Sequence, residues 1–148
     1  MYHIKKEGEK MKDSNCIFCK IIAGEIPSNT IYEDDEFKVI LDVSPATKGH
    51  ALILPKEHYA DLYEIDEEVA ARAMKLAKKL TMHMTEVLKC DGFNLVQNNH
   101  EVAGQTVFHF HMHLIPRYIN AKNNDILTWS HETFTPEEMT EIRDSLKM

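Results

Sequence analysis

Three histidines occupy every second position in the later part of the chain, at His109, His111 and His113. Side chains alternate between the two faces of a β-strand, so these imidazoles would point to one side of a sheet. The apolar residues around them would point to the other side, into the core: Phe108, Phe110, Met112 and Leu114. Three imidazoles against a packed apolar layer would each need a buried hydrogen-bond partner, so we expect the histidine face to line a cleft.

The spacing of the histidines limits what they can do together. At about 3.3 Å per residue, His109 and His113 would lie about 13 Å apart, too far to share a zinc ion with bonds of about 2.1 Å. Two neighbouring histidines could still share an ion. The alternative without a function is that all three histidines are simply hydrogen-bonded on an exposed sheet face. Imidazole is also a nucleophile near neutral pH, and the N–P bond that it forms with phosphorus is labile to water. The pattern therefore favours a row of rings with different tasks, including attack on phosphorus.

A polar segment directly before the histidines has the composition of a phosphate-binding turn. It contains Asn98 and Asn99, followed by Gly104, Gln105 and Thr106. Glycine permits close approach of the backbone, and amide and hydroxyl groups can donate hydrogen bonds to anionic oxygens. An ordinary polar hairpin loop would have a similar composition, and the neighbouring histidines favour the phosphate-binding interpretation.

The pair Cys16-x-x-Cys19 near the N-terminus has the spacing of a metal half-site or a redox pair. A closed tetrahedral site needs two further ligands, and the spacing leaves His50, His58 and His109 as candidates. A chance occurrence of two thiols in a short helix is the alternative. The third cysteine, Cys90, stands alone at the end of a predicted helix, where we expect a small buried residue.

The elements that position these residues follow from hydrophobic periodicity and turn residues. The first helix is predicted at 14–24, with Ser14 or Asn15 as its N-cap and Gly24 as its end. The long helix is predicted at 66–89, with Asp66 as its N-cap and Gly92 as its stop. The last helix is predicted from the capping box at Thr135 to Met148. The strands are predicted at Thr30–Glu33, Phe37–Asp42, Ala51–Pro55, Phe93–Gln97 and Val107–Pro116. Short links between strands indicate an α+β fold, a five-stranded antiparallel sheet with the long helix on one face and short N- and C-terminal helices.

Composition indicates one domain of about 14–148 behind a flexible N-terminal extension, residues 1–13. The chain has 148 residues, of which 43% are hydrophobic and 28% are charged, and its net charge is -7. No apolar run approaches the roughly 18 residues of a membrane span, and the first residues do not form a secretory signal. We therefore expect a cytoplasmic protein that binds neither membranes nor nucleic acid.

Several segments together resemble the histidine-triad family, in particular its branch that hydrolyses purine nucleotides. The similar segments run from about Asn15 to Arg117: Cys16-Ile-Phe-Cys19, Asp42-Val-Ser-Pro, Gly49-His-Ala-Leu-Ile-Leu-Pro-Lys-Glu-His58 and Gly104-Gln-Thr-Val-Phe-His-Phe-His-Met-His-Leu-Ile115. The resemblance implies an α+β homodimer that binds a nucleoside monophosphate group and transfers or hydrolyses it through a nucleotidyl-histidine.

The resemblance also implies a role for each matching residue. His111 would attack the α-phosphorus and His113 would bond the phosphate oxygens, while Asn98, Gln105 and Thr106 would hold the phosphate and leaving group. Asp42 would accept the ribose hydroxyls, although it could also be a turn residue before Ser44, and His50 would support a triad histidine. The apolar slot for the purine base would be formed by Phe18, Ile26, Ile40 and Val43. A structural zinc ion would be held by Cys16, Cys19, His58 and His109.

Two other functions are compatible with the sequence. One is a regulatory or scaffold protein that binds purine nucleotides without turning them over. The other is a metalloenzyme in which the three histidines hold a catalytic ion, which would require metal at His111. The sequence does not choose between adenine and guanine, nor between amine, carboxylate and phosphate leaving groups.

Overall fold

The structure is a computed structural model, and it describes residues 13–122 and 127–148. The elements follow the predicted order of a short helix, three strands, a long helix, two strands and a short helix, with one 3-10 turn at Glu101–Ala103. Their bounds are α1 Ile17–Ile22, β1 Thr30–Glu33, β2 Phe37–Leu41, β3 Ala51–Pro55, α2 Glu67–Leu88, β4 Gly92–Val96, β5 Met112–Arg117 and α3 Pro136–Leu146. The predicted α+β class is confirmed.

All five strands form one antiparallel sheet with the order β1-β2-β3-β5-β4. The α2 helix connects β3 to the edge strand β4, and β5 returns between them. In this register His113 lies opposite Leu52, and Met112 lies opposite Ile53. The last triad histidine is therefore fixed by the ladder near the middle of the sheet.

The two faces of the sheet carry two different apolar clusters. Alternate strand residues such as Val39 and Ile53 pack with the α2 stripe, whose buried members are Val69, Ala73, Leu76, Ala77, Leu80 and Met84. The residues between them in the strands, Ile40 and Leu52, pack instead with Phe18 of α1. Because successive strand residues point to opposite faces, α1 covers the face opposite α2. The three- and four-residue periodicity of the sequence also assigns Val87 to this stripe, but this prediction is wrong, because Val87 is 64% exposed.

The predicted strand Val107–Pro116 is too long at its beginning. The ladder of β5 begins at Met112, and residues 107–111 form bends and irregular backbone. The amide of Phe110 donates to the carbonyl of Tyr59 at 2.6 Å instead of joining the ladder. Phe110 is buried as expected, but Phe108 is 52% exposed, so its predicted place in the core is wrong. The first two triad histidines therefore lie just before the strand.

Helix ends are set by local hydrogen bonds that only partly match the prediction. The carboxylate of Asp66 accepts from two first-turn amides of α2, and Thr135 forms the predicted capping box. In contrast, α1 is capped by the Cys16 thiol, not by Ser14 or Asn15. The α2 helix ends through Lys89 in the left-handed conformation, whereas Gly92, the predicted stop, is the first residue of β4. Within the described residues, none of the helices has the length and apolarity needed to cross a membrane.

Candidate active site and metal centre

Four side chains from three distant segments converge on one point beside α1. Their ligand atoms, two thiol sulfurs and two imidazole nitrogens, all lie within 4.8 Å of one another. The Nδ1 of His109 is 3.4 Å from Sγ of Cys16, 3.5 Å from Sγ of Cys19 and 3.2 Å from Nδ1 of His58. Of the three candidate histidines, His58 and His109 therefore join the cysteines, and His50 does not.

The size and chemistry of this group fit a tetrahedral zinc ion. With bonds of about 2.1 Å to nitrogen and about 2.3 Å to sulfur, zinc holds its ligand atoms about 3.3 to 3.8 Å apart, close to the distances between these atoms. The Nε2–H of His109 donates to the carbonyl of Pro55 at 2.7 Å, so its Nδ1 presents a lone pair to the group. Two thiols and two imidazoles are a common donor set for structural zinc.

The Cys16-x-x-Cys19 spacing works because Cys16 is the N-cap of α1. Its Sγ accepts a hydrogen bond from the backbone amide of Cys19 at 3.3 Å, which brings the second thiol to the same side of the helix. The side-chain hydrogen bond between the two thiols lowers the pKa of Cys16 and raises that of Cys19. The pair therefore holds one thiolate readily, as a metal ligand requires.

The middle triad histidine is held in one tautomer. Its Nδ1 lies 2.7 Å from the backbone carbonyl of His109, and since a carbonyl can only accept, Nδ1 carries the proton. The Nε2 of His111 therefore has a free lone pair. The ring makes edge-on contacts with Phe18 and His113, each with ring centroids 5.1 Å apart. Among the described residues, it belongs neither to the Cys16 group nor to the second group whose atoms could hold a metal, formed by Asp42, His50 and His113.

A relay of hydrogen bonds fixes the third triad histidine in the opposite tautomer. The backbone amide of Ala46 donates to Nδ1 of His50 at 2.9 Å, so the proton of neutral His50 sits on Nε2. That Nε2 lies 2.9 Å from Nδ1 of His113 and 3.5 Å from a carboxylate oxygen of Asp42. His113 therefore accepts at Nδ1 and carries its own proton on Nε2. The predicted proximity of His50 to a triad histidine is thus seen in the structure.

Burial keeps these imidazoles neutral near pH 7. It lowers the pKa of His50 and of His111, and it lowers the pKa of His113 to about 4, with further lowering by the neighbouring His111 and His50. Desolvation disfavours the charged form of a base, which explains the common direction. The site therefore offers one unprotonated nitrogen, on His111, and one neutral N–H donor, on His113.

Three of the four residues predicted to hold the base lie in one apolar cluster. Phe18 and Ile40 are buried there, and Ile26 is partly buried against them. Val43 is 94% exposed and lies outside this cluster. Asp42 follows β2, and one of its carboxylate oxygens accepts from the amide of Ser44 at 2.8 Å, so it also closes the turn.

One residue of the predicted phosphate-binding turn, Gln105, uses its side chain for hydrogen bonds to the backbone. Gln105 is 1% exposed; its Oε1 accepts from the amide of His100, and its Nε2 donates to the carbonyls of Ala60 and Val107. Its side chain thus joins two loops and has no free polar atom for a ligand. Thr106 is exposed, and Asn98 is half-buried with its amide next to Gly104.

The turn also contains a strained residue, the exposed His100. His100 has φ 71° and ψ 157°, a region occupied almost only by glycine. Its ring stacks on Tyr63, with centroids 4.9 Å apart, and its Nε2 lies 3.1 Å from a carboxylate oxygen of buried Asp61. These contacts and the Gln105 brace hold the loop before His109 against the segment after His58. No periodic signal in the sequence identified this link.

Comparison with known proteins finds a matching family model and relatives that are similar in sequence. A family model described as a HIT domain matches residues 23–120. The chain is 44% identical over 117 residues to adenosine 5'-monophosphoramidase HNT1 of Saccharomyces cerevisiae, covering 79% of this chain and 71% of the yeast protein.

Two solved structures are similar over nearly their whole length. The crystal structure of a HIT family member from Bacillus subtilis has a TM-score of 0.82 and 41% identity, covering 90% of this chain and 95% of that chain. The crystal structure of a zinc-bound histidine triad family protein from Mycobacterium smegmatis has a TM-score of 0.69 and 36% identity, covering 89% and 93%.

Proposed function

The chain belongs to the HIT family, and we propose that it cleaves purine nucleoside phosphoramidates or related nucleotidyl substrates at the α-phosphate, as a hydrolase or transferase. The observation that carries this proposal is the hydrogen bond from Nδ1 of His111 to the carbonyl of His109, which leaves Nε2 unprotonated. The 44% identity to a yeast adenosine 5'-monophosphoramidase supports the substrate class.

The first step is attack by Nε2 of His111 on the α-phosphorus. A P–N bond to the ring forms while the bond from phosphorus to the leaving group breaks, and an amine leaving group departs with the electron pair and takes a proton from solvent. The hydrogen bond to the His109 carbonyl then stabilises the positive charge that develops on the ring. The edge of Phe18 beside the ring restricts its rotation.

The second step is attack by water on the nucleotidyl-histidine. The P–N bond breaks, Nε2 of His111 regains its lone pair, and the water gives up a proton to solvent, so the net reaction is substrate plus water to amine plus nucleoside monophosphate. The Nε2–H of His113 would donate to a phosphate oxygen in both steps. Asn98 and Thr106 would donate to the phosphate and leaving group, and Gln105 would hold the loop that carries them.

The nucleoside part would bind beside the same face of the sheet. We assign the ribose hydroxyls to the carboxylate of Asp42 and the base to the apolar cluster of Phe18, Ile26 and Ile40. Val43, although 94% exposed, lies directly after Asp42 and could cover the edge of the base. Because Asp42 also accepts from Ser44, the turn fixes the direction in which its second oxygen points.

We further propose that Cys16, Cys19, His58 and His109 bind a structural zinc ion. When bound, the ion would tie α1, which carries Phe18, to the segment before His111. His109 would supply one ligand to the ion through Nδ1, and its backbone carbonyl accepts from His111, so its fixed position would serve both sites. The zinc-bound relative from Mycobacterium smegmatis supports this assignment.

The test is mass spectrometry of protein quenched during turnover of an adenosine phosphoramidate. A nucleotidyl adduct on a single peptide containing His111 is expected, and His111→Gly should abolish both adduct and turnover while nucleotide binding persists. The matched control is His83→Ala, an exposed histidine on α2. Binding without any adduct or turnover would instead establish a regulatory nucleotide-binding protein.

Finally, we propose a homodimer. β4 is an edge strand with free backbone groups on one side, and α2 next to it leaves Met74 54% exposed and Met82 67% exposed. Exposed edges and apolar side chains on one surface are typical of protein–protein interfaces.

A further inference from the structure

The segment after His58, residues 59–63, holds the loop that comes before the triad. Five contacts join them: Tyr59 to Phe110, Ala60 to Gln105, Leu62 to Asn99, and both Asp61 and Tyr63 to His100. At Tyr59, Ala60 and Leu62 the 59–63 segment contributes only a backbone group, which other residues could supply as well. Of these five contacts, the two that use side chains of the segment both end on His100.

The backbone of His100 fixes the shape of the phosphate loop, residues 98–106. Its amide donates to Oε1 of Gln105 at 2.8 Å, and its carbonyl accepts from the amide of Gln105 at 3.1 Å. On the other side of His100, Nδ2 of Asn98 lies 3.6 Å from the point where a Cβ on Gly104 would be. The dihedral angles of His100 therefore set the separation of Asn98 and Thr106, two of the groups proposed to donate to the phosphate and leaving group.

The backbone conformation of His100 is one that glycine adopts and other residues avoid. Its φ of 71° and ψ of 157° are strained for any residue with a Cβ. Among residues 13–122 and 127–148, Lys89 is the only other non-glycine residue with positive φ, and it lies in the ordinary left-handed region. Strain of this kind persists only where surrounding contacts impose it, and it is concentrated at functional sites. Since glycine would form the same loop without strain, the strain indicates a role for the imidazole itself.

Two contacts hold the His100 ring in place. Asp61 is 7% exposed, and one of its carboxylate oxygens lies 3.1 Å from Nε2 of His100. The other carboxylate oxygen accepts from the amide of Glu64 at 3.1 Å. The ring of Tyr63 stacks on His100 with an angle of 20° between the two planes. Because both oxygens of the buried carboxylate have partners, Asp61 is a fixed point to which the exposed ring of His100 is attached.

We infer that Asp61 and His100 are positioning residues for the groups that bind the phosphate. The carboxylate holds the His100 ring, and the backbone of His100 in turn holds Asn98 and Thr106 at one separation. These two donors then meet the phosphate without reorganising, which is the condition under which hydrogen-bond donors stabilise charge most strongly. The inference rests on the proposed function and adds to it two residues that act through the loop rather than on the reacting atoms.

The test compares the affinity for adenosine monophosphate with the affinity for adenosine, both measured by isothermal titration calorimetry. The two ligands share base and ribose, so the ratio of their affinities reports the phosphate contacts alone. His100→Gly removes the ring and relaxes the backbone, so the variant should fold. It should lower the ratio about threefold to tenfold and leave the affinity for adenosine unchanged. A purely structural role would alter the folded fraction, which scales both affinities equally and keeps the ratio constant.

Variants of Asp61 test whether the ring acts through the carboxylate. Asp61→Ala should lower the ratio as much as His100→Gly, and the double variant should lower it no further, because both changes break the same contact. Asp61→Asn keeps a polar partner for Nε2 of His100 and for the amide of Glu64, so it should recover most of the ratio. The controls His131→Gly and Asp144→Ala make the same changes at exposed positions outside the loop and should match the wild type.

The outcomes separate this inference from the proposed function. An unchanged ratio in His100→Gly would show that the ring only compensates for its own strain, and would refute the positioning role. A wild type that binds adenosine monophosphate no better than adenosine would refute the proposed phosphate contacts, and this inference with them. If the wild type shows the preference but forms no adduct on His111, the proposed catalysis fails, and the ratio in the variants still decides this inference.

Discussion

Burial of His113 beside two other imidazoles predicts that this ring stays neutral in the folded protein at pH values well below its ordinary pKa. Burial lowers this pKa from 6.5 to about 4. In the unfolded chain the ring is solvated and returns to the ordinary value. Between pH 6.5 and pH 4 the unfolded state therefore binds a proton that the folded state does not, so this group makes stability fall as the pH falls.

The size of the effect follows from the two pKa values. At pH 7 both states are largely neutral and the contribution of His113 is close to zero. At pH 5 the unfolded ring is almost fully protonated and the folded ring is not, which destabilises the fold by about 2 kcal/mol. Below about pH 4 both states are protonated and the loss stops growing.

The perturbation that isolates this effect is His113→Asn. The amide oxygen of asparagine can still accept the hydrogen bond from Nε2 of His50, but the side chain does not titrate. The free energy of unfolding in urea, measured at pH 7 and pH 5 at one protein concentration and one zinc content, should fall by about 2 kcal/mol less in the variant than in the wild type. His83→Asn, at an exposed position on α2, should behave as the wild type.

The refuting result is equally specific. If wild type and His113→Asn lose the same free energy of unfolding between the two pH values, then burial does not hold His113 neutral. In that case the tautomer argument for its Nε2–H would also fail, because a protonated ring would donate from both nitrogens.

Three further predictions concern stability and metal content. Cys16→Ala should lose one zinc per chain by elemental analysis, and a chelator that destabilises the wild type by several kcal/mol should then have no further effect. His100→Gly should be more stable than His100→Ala by about 1 kcal/mol or more in urea unfolding, since only glycine is relaxed at φ 71° combined with ψ 157°. Ile53 is 0% exposed. Replacing it should lower the free energy of unfolding in urea by about 0.5 to 1.5 kcal/mol for Ile53→Val and by about 2 to 5 kcal/mol for Ile53→Ala.

Elements with a strong local signal were predictable from the sequence. The α2 stripe combines three- and four-residue spacing with a carboxylate cap at Asp66, and both depend only on neighbouring residues. The start of β5 was not predictable in this way. Alternation of polar and apolar residues occurs both in a strand that pairs with the sheet and in extended backbone that does not. Here the amide of Phe110 donates to the carbonyl of Tyr59, a residue far away in the chain, so residues before Met112 do not join the ladder.

In the site, too, the features set by neighbouring residues were predictable, and those set by contacts between distant segments were not. Spacing identified Cys16 and Cys19 as a half-site but left three histidines as possible partners. The family resemblance selected His58 and His109, and the fold brings these two, but not His50, to the cysteines. The exposed position of Val43 and the buried position of Gln105 depend on how loops close over the sheet. Periodicity carries no information about such loop packing.

The tautomers of the histidines could not be predicted from the sequence, because they are set by backbone groups. The carbonyls of Pro55 and His109 and the amide of Ala46 set the tautomers of three rings, yet any residue could supply such a carbonyl and any residue other than proline such an amide. Residue type alone therefore cannot show which nitrogen of a histidine is free. The sequence could identify the imidazoles but not their protonation.

The alternation of histidine with apolar residues has a physical purpose once these backbone partners are known. Three identical rings in one row would have similar chemistry if they had similar surroundings. Here His109 has a free Nδ1 among the thiols, His111 has a free Nε2, and His113 has an Nε2–H, because each ring meets a different partner. Phe110 and Met112 are buried in the opposite core and anchor the backbone between the rings. The apolar residues therefore fix where each ring sits, and the backbone determines what each ring can do.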